Sequence, residues 1–297
     1  MQFKNRNPHL ASVIRKTLTG SMIAGVFGLS ACTTTQNDSK NYSSYERLNS
    51  VLWMQTSAEY QAASLSAYQQ ATAMLSKALA DPNWTAAPEQ TENYQQLPPA
   101  IILDIDETVL DNLPFQAQIL KDNVPFNQED WNAWTKLASA KPLPGAKAYL
   151  DYAQSQGVTI FYVTNRDASE EADTRKNLQL QKLPLREDID TVLTKNENGW
   201  TSEKSPRRSF VGKNFRIVAL VGDDLGDFTP GAKVTPAERL ALAIKNADKW
   251  GTKWFVIPNP VYGSWESALH NHDYQKSPGE ITAQKLDQLQ GIENLKP

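Results

Sequence analysis

Five short apolar runs constrain this chain more than any other feature. They are Ala100-Ile101-Ile102-Leu103, Val158-Thr159-Ile160-Phe161-Tyr162-Val163, Thr191-Val192-Leu193, Ile217-Val218-Ala219-Leu220-Val221 and Trp254-Phe255-Val256-Ile257. Each is too short for a helix, rich in β-branched residues and apolar almost throughout, the pattern of strands buried on both faces of a parallel sheet. Helix-like segments alternate with them over 146–156, 169–181 and 236–249. The last has Thr235 at the N-cap, Pro236 in the first turn, Glu238 at the third position and Gly251 past its end. Strand and helix in this alternation predict an α/β domain, doubly wound around a mostly parallel sheet.

Two segments stand outside the alternation. Over 45–79, Leu52, Ala58, Ala62, Leu65, Tyr68, Ala71 and Leu75 recur at three- and four-residue steps and predict one N-terminal helix, stopped by Asp81-Pro82-Asn83. Over 111–141 the chain carries Phe115, Phe126, Trp131 and Trp134 and is too long for a simple connection. It predicts a small inserted cap, mainly helical, over one end of the sheet.

Composition removes several functions. Of 297 residues, 40% are hydrophobic and 21% charged, which excludes disorder. Thirty Lys and Arg against 33 Asp and Glu leave a net charge of −3, without the basic excess of a nucleic-acid binder. One cysteine excludes an internal disulfide and a cysteine zinc site, and three histidines argue against a histidine-rich metal centre.

That single cysteine has a telling position. Lys4, Arg6, Arg15 and Lys16 precede a short apolar stretch over 18–29, which ends in Leu29-Ser30-Ala31-Cys32. The stretch is too short to span a bilayer but suits a secretory signal. Its end resembles a bacterial lipobox. The expectation is a lipoprotein signal peptide over 1–31, acylation at Cys32, a polar flexible tether over 32–44, and the folded domain over 45–297 with its core at about 100–265. By the same resemblance, the absence of Asp after Cys32 points to the outer membrane of a Gram-negative cell.

In open α/β sheets, ligands bind beyond the carboxyl ends of the strands. Past Leu103 comes Asp104-Ile105-Asp106-Glu107-Thr108; past Val163, Thr164-Asn165-Arg166-Asp167; past Val221, Gly222-Asp223-Asp224-Leu225-Gly226-Asp227. Any one cluster is ordinary turn chemistry. Three on one edge are a site, and so many carboxylates without histidine or cysteine call for a hard cation, most simply Mg²⁺.

Asp104-x-Asp106-x-Thr108, Thr164, a downstream lysine and Gly222-Asp223-Asp224-x-x-Asp227 resemble the four motifs of the haloacid dehalogenase superfamily. The strings from Ile102 to Asn112 and from Val163 to Arg166 are narrower, and are similar to those of the class C bacterial acid phosphatases, lipid-anchored secreted phosphomonoesterases. One departure is Asp224, where the family pattern has Asn.

The resemblance implies a mechanism and roles. Asp104 is the nucleophile that forms an aspartyl phosphate, and Asp106 the general acid and then base, kept protonated by neighbouring negative charge. Asp104, Asp223 and the Asp106 carbonyl hold Mg²⁺, with Asp227 close by. Thr164 donates its hydroxyl to the phosphoryl group, and Asn165 and Arg166 lie beside the substrate. Lys204 supplies the balancing charge, with Lys213 as the competitor; the alternative for both is a solvated basic stretch over 204–216. Trp131, Tyr262 and Trp265 correspond to aromatic positions that stack on nucleotide-like substrates, or else are ordinary packing aromatics.

The implied activity is hydrolysis of phosphomonoesters, with nucleoside or nicotinamide monophosphates as candidates. Phosphotransfer on the same scaffold and a non-catalytic ligand-binding surface lipoprotein are the alternatives. The expected partners are a small phosphate ester and, through Cys32, a membrane; a homo-oligomer is left open. Asp188-Ile189-Asp190 precedes its apolar run and reads as a turn. Asn271-His272-Asp273 lacks companion metal motifs and reads as a surface loop.

Overall fold

The computed structural model of the protein describes residues 45–292; the expected signal peptide, Cys32 and the tether lie outside them. Ser57 divides the N-terminal helical segment. It adopts extended backbone (φ −82°, ψ 138°), and its hydroxyl accepts the Tyr60 N–H at 3.1 Å, capping a new helix. The single helix expected over 45–79 is therefore two, α1 (Leu48–Thr56) and α2 (Ala58–Ala80). The break also resets the buried face. Tyr60, Ser64, Tyr68, Ala71, Leu75 and Ala78 point inward, whereas Leu52 and Leu65, expected inside, are 45% and 37% exposed. A serine takes a core place because Ser64 Oγ donates to the Pro144 carbonyl at 2.8 Å. From Tyr68 onward the expected stripe is the buried one.

The chain then runs β1 (Pro99–Leu103), β2 (Leu110–Asp111), α3 (Leu113–Lys121), α4 (Gln128–Leu137), β3 (Lys141–Pro142), α5 (Ala146–Ser155), β4 (Thr159–Asp167), α6 (Glu171–Leu180), β5 (Val192–Lys195), α7 (Ser205–Gly212), β6 (Arg216–Gly222), α8 (Pro236–Lys245), β7 (Trp254–Val256), α9 (Ser264–Ala268) and α10 (Pro278–Asp287). The sheet has order β5-β4-β1-β6-β7 and every pairing in it is parallel. Strand alternation sends Ile101, Leu103, Ile160, Tyr162 and Val221 into one core, with α2 and α5. Ala100, Ile102, Phe161, Val163 and Leu220 enter the other, with Val211 of α7. Apolar layers on both faces are what the unalternating runs required. The α/β fold expected from the sequence is the one found.

The segment over 111–141 is helical, as expected. β2 and β3 pair antiparallel to form its stem. Between them α3 and α4 enclose a small core of Phe115, Ile119 and Trp131, with Trp134 against it. Helix α8 has the expected capping box of Thr235 and Glu238. It ends at Lys245, short of the expected 249, because Asn246 forms the C-cap and folds its Nδ2 back to the Leu242 carbonyl at 2.9 Å. Among the described residues no helix is long and apolar enough to cross a membrane.

Candidate active site

The β1 ladder continues one residue past the strand, as the Asp104 N–H donates to the Val221 carbonyl at 3.0 Å. The chain then folds into a tight turn in which the Ile105 carbonyl accepts the Val109 and Leu110 N–H groups, each at 2.8 Å. Glu107 takes a left-handed conformation there (φ +56°). Tyr68, fully buried on α2, donates its hydroxyl to the Thr108 carbonyl at 2.7 Å and pins the turn from below. Asp104 and Asp106 thereby line one cleft of about 640 Å³, within the range of small-molecule sites.

The loop after β6 supplies the opposite wall. Asp224 and Asp227 form a capping box around one tight helical turn, with the Asp224 N–H donating to Asp227 Oδ2 at 2.9 Å. Asp227 folds back over Gly222 so closely that a Cβ there would lie 2.2 Å from Asp227 Oδ2. Glycine is required at that position by contact, not by backbone angle.

These two loops bring carboxylate oxygens of Asp104, Asp223 and Asp227 within 4.8 Å of one another. Lys204, at the N-cap of α7 and 7% exposed, pairs with Asp104 and with Asp227 Oδ1, the latter at 2.6 Å. Burial pushes the Asp104 carboxyl up to about 7; Lys204 works against that rise, while Asp227 and Asp106 add to it. Burial, then the charges of Asp104 and Asp227, hold Asp223 well above the carboxylate range, although Asn259 Nδ2 donates to it at 2.7 Å. Burial disfavours charge on Lys204, but the two carboxylates outweigh it and raise its pKa. Three crowded oxygen donors, one of them without a basic partner among the described residues, fit a hard divalent cation.

Asp106 faces different company. Arg166 Nη2 and Nε donate to its Oδ1 at 2.7 and 3.0 Å, and Asn112 Nδ2 donates at 2.8 Å. The negative surroundings expected for this side chain are thus replaced by donors, because the strand end of β4 turns a buried guanidinium toward it. Its side chain is not among the three clustered carboxylates.

The other expected residues divide. Thr164 is fully buried and not among the cleft-lining residues; its Oγ1 accepts the Arg166 N–H at 3.1 Å. Asn165 and Arg166 line the cleft. So does Trp131, with the Arg166 guanidinium 5.6 Å from its ring centroid and Phe115 edge-on at 5.2 Å. Tyr262 lines it too and donates its hydroxyl to the buried Glu107 carboxylate. Trp265 does not: it is 39% exposed, outside the lining, with Nε1 donating to the Asn259 carbonyl at 3.1 Å. Lys213 is exposed and also outside it. The basic stretch over 204–216 is not a solvated face, since Lys204, Arg207, Arg208 and Arg216 are all buried. Cys32 lies outside the described residues.

Asp224 is explained by its neighbours. Its carboxylate accepts Ser264 N–H at 2.7 Å and Ser264 Oγ at 2.6 Å, with Arg239 at 3.8 Å, so it ties two loops instead of joining the acidic cluster. Asp190 accepts the Val192 N–H at 3.1 Å before β5, at the sheet edge away from the cleft, as a turn residue should. Asn271 and Asp273 are exposed, as expected of a surface loop, and His270 Nδ1 and His272 Nε2 meet backbone carbonyls and form no metal-ligand set; only His270, just before the loop, is buried.

Sequence reasoning missed Asn112, Glu107 and Asn259. Asn259 was within reach of the rule applied to the other strands, since it follows the apolar run Trp254 to Ile257 directly. Glu107 and Asn112 lie within the string from Ile102 to Asn112 and partner locally, Asn112 N–H donating to Glu107 and Asn112 Nδ2 to Asp106, while their contacts with Tyr262 and Trp134 come from remote segments.

A parallel five-stranded sheet with an inserted cap, presenting aspartates from two strand ends and a buried lysine to one cleft, is a haloacid dehalogenase-like α/β fold. The chain belongs to the HAD superfamily, subfamily IIIB (acid phosphatase), whose family model matches residues 24–265. It is similar to the class C acid phosphatase from Bacillus anthracis, at 32% identity and a TM-score of 0.75, covering 84% of this chain and 99% of that one. The same enzyme with tungstate bound gives 31% identity and a TM-score of 0.73, over 84% and 98%. Among curated proteins it is similar to acid phosphatase 1 of Solanum lycopersicum, 26% identical over 168 residues, and to the stem 28 kDa glycoprotein of Glycine max, 23% identical over 167 residues. Each alignment covers 54% of this chain, and 57% and 58% of those relatives' lengths.

Proposed function

We propose that this chain is an acid phosphatase that hydrolyses phosphomonoesters with Mg²⁺ bound at Asp104, Asp223, Asp227 and the Asp106 carbonyl. The observation that carries the proposal is the convergence of Asp104, Asp223 and Asp227 within 4.8 Å beside the ammonium of Lys204. The three clustered carboxylates face one ammonium, that of Lys204, and the two unbalanced charges match one divalent ion. When bound, that ion neutralises phosphate charge so that an anionic nucleophile can approach.

Asp104 attacks phosphorus, forming a new P–O bond as the ester P–O bond breaks, and Asp106 delivers the proton to the departing alkoxide. Water then attacks the phosphorus of the aspartyl phosphate, Asp106 takes its proton, and the bond to Asp104 breaks. Lys204 holds the nucleophile and the transferring oxygens, and the buried Thr164 hydroxyl accepts the Arg166 N–H and steadies the strand end that carries Arg166. Arg166 and Asn112 orient Asp106. The Bacillus anthracis enzyme has been seen with tungstate, a tetrahedral oxyanion, bound, which supports a phosphate-like ligand for this chain.

For substrates we favour nucleoside or nicotinamide monophosphates. Trp131 and Tyr262 give the cleft aromatic surface on which a flat group stacks. The test is hydrolysis of a chromogenic phosphomonoester with Mg²⁺ and with chelator, wild type against Asp104→Asn. Activity should require both the metal and Asp104; a folded Asp104→Asn protein with undiminished turnover would overturn the proposal.

The same proposal places the mature chain at the bacterial outer membrane, held by acyl chains at Cys32. Cys32→Ser should release the protein from the membrane fraction with catalysis intact. Retention in that fraction would refute the anchor.

A further inference from the structure

The helix that carries Lys204 also carries two consecutive arginines with no exposed surface, Arg207 and Arg208. Residues adjacent on a helix leave it about 100° apart, and these two reach opposite sides of the site. Arg207 turns to β4. Its Nη1 donates to the Thr164 carbonyl, and its Nη2 donates to Asn165 Oδ1 at 2.7 Å and to the Thr201 carbonyl at 3.1 Å. Arg208 turns to the loop after β6. Its Nη1 donates to the Gly226 and Asp227 carbonyls at 3.0 and 2.9 Å, while Glu89 neutralises it at 2.7 Å.

Burying a guanidinium is costly, and Arg207 has no carboxylate partner among its hydrogen bonds. Packing alone would be met as well by leucine or methionine at lower cost. What only arginine offers is a rigid fork of donors that fixes several backbone carbonyls at once. Those carbonyls belong to the two segments that must hold register with Lys204, one through Thr164 and the other through Asp227.

We propose that Arg207 and Arg208 are positioning residues with separable tasks: Arg207 sets the phosphate-binding strand end against Lys204, and Arg208 sets the cation-binding loop against it. The inference rests on the functional reading above, and two ligands keep the failures of the two apart. Orthophosphate affinity is measured by calorimetry at saturating Mg²⁺, and Mn²⁺ affinity by electron paramagnetic resonance without phosphate, on Arg207→Met and Arg208→Met. Thermal melts confirm folding.

Arg207→Met should weaken orthophosphate roughly tenfold or more, with Mn²⁺ nearly unchanged, since about 1.4 kcal/mol of lost alignment is a factor of ten. Arg208→Met should weaken Mn²⁺ roughly 10- to 100-fold, the range seen when groups supporting metal ligands are removed, with orthophosphate nearly unchanged at saturating Mg²⁺. Arg207→Lys should recover only part of the loss, because an ammonium cannot span the carbonyls that the fork spans. If a methionine variant does not fold, Arg207→Lys and Glu89→Gln take their places with the same directions. Folded variants that weaken both ligands alike, or neither, would overturn the inference. A wild type that binds neither orthophosphate nor Mn²⁺ would instead overturn the functional reading, and this inference with it.

Discussion

Arg166 holds Asp106 through two nitrogens, Nη2 at 2.7 Å and Nε at 3.0 Å from the same oxygen, and its side chain is 1% exposed. A fork this buried fixes the direction of the carboxyl as well as its charge. In the proposed reaction Asp106 serves the leaving oxygen, so its loss should matter most where that oxygen most needs a proton. Asp106→Asn should lower kcat by about 10²- to 10⁴-fold on alkyl phosphates and by much less on p-nitrophenyl phosphate, whose leaving group departs unaided. Steady-state kinetics on both substrates decide it; equal losses would remove Asp106 from the acid role.

Gly222 faces the Asp227 side chain with room for no further atom. Gly222→Ala should force Asp227 away from Lys204, with a destabilisation of about 1–3 kcal/mol, as for other overpacked interiors. Cation affinity should fall as well. Urea denaturation and Mn²⁺ titration measure the two; wild-type values of both would show that Asp227 has freedom the close contact denies.

Two of the clustered carboxyls hold their protons more tightly than the ordinary value of 3.8, Asp104 up to about 7 and Asp223 in the same direction, chiefly through burial. A raised folded-state pKa means that the folded protein binds more protons than the unfolded chain across that interval. Without metal, stability is therefore greatest below about pH 4 on this account and declines as pH rises toward about 7. Mg²⁺ must displace those protons, so its stabilising effect should grow over the same interval. Thermal melts with and without Mg²⁺ across that range test the sign. A Mg²⁺-induced shift that does not change with pH would contradict it.

Trp131 is anchored by Phe115 at 5.2 Å and by the cation of Arg166, so its ring is a stiff surface. Stacking on such a ring is worth about 1–3 kcal/mol per base. Trp131→Ala should raise KM for nucleoside monophosphates by roughly tenfold or more on that scale, and change KM for a small aliphatic phosphate little. Parallel losses on both substrates would reduce Trp131 to a packing role within the cap.

The parts of the site that were legible in the sequence are those made by neighbours along the chain. Asp104 and Asp106 are two apart at a strand end, and Asp224 and Asp227 make a local capping box, so spacing and strand pattern suffice. The β-branched runs likewise declare a sheet covered on both faces, because their lack of alternation leaves no side for water. Helix faces were less legible. Ser57 restarts the phase of α2, and Ser64 is inside because the Pro144 carbonyl meets it 80 residues away in the chain.

What the sequence by itself determined is the order of strands and helices and the delivery of acidic groups to one edge, since these follow from local periodicity and turn chemistry. Only the tertiary structure decided what each charge does. Lys204 pairs with Asp104 one hundred residues away, Arg166 with Asp106 sixty away, and Arg208 with Glu89 119 away. A basic stretch becomes a set of buried clamps instead of a solvated face when folding removes its water and supplies carbonyls and carboxylates in exchange. That exchange depends on distances between remote segments, which no local pattern records.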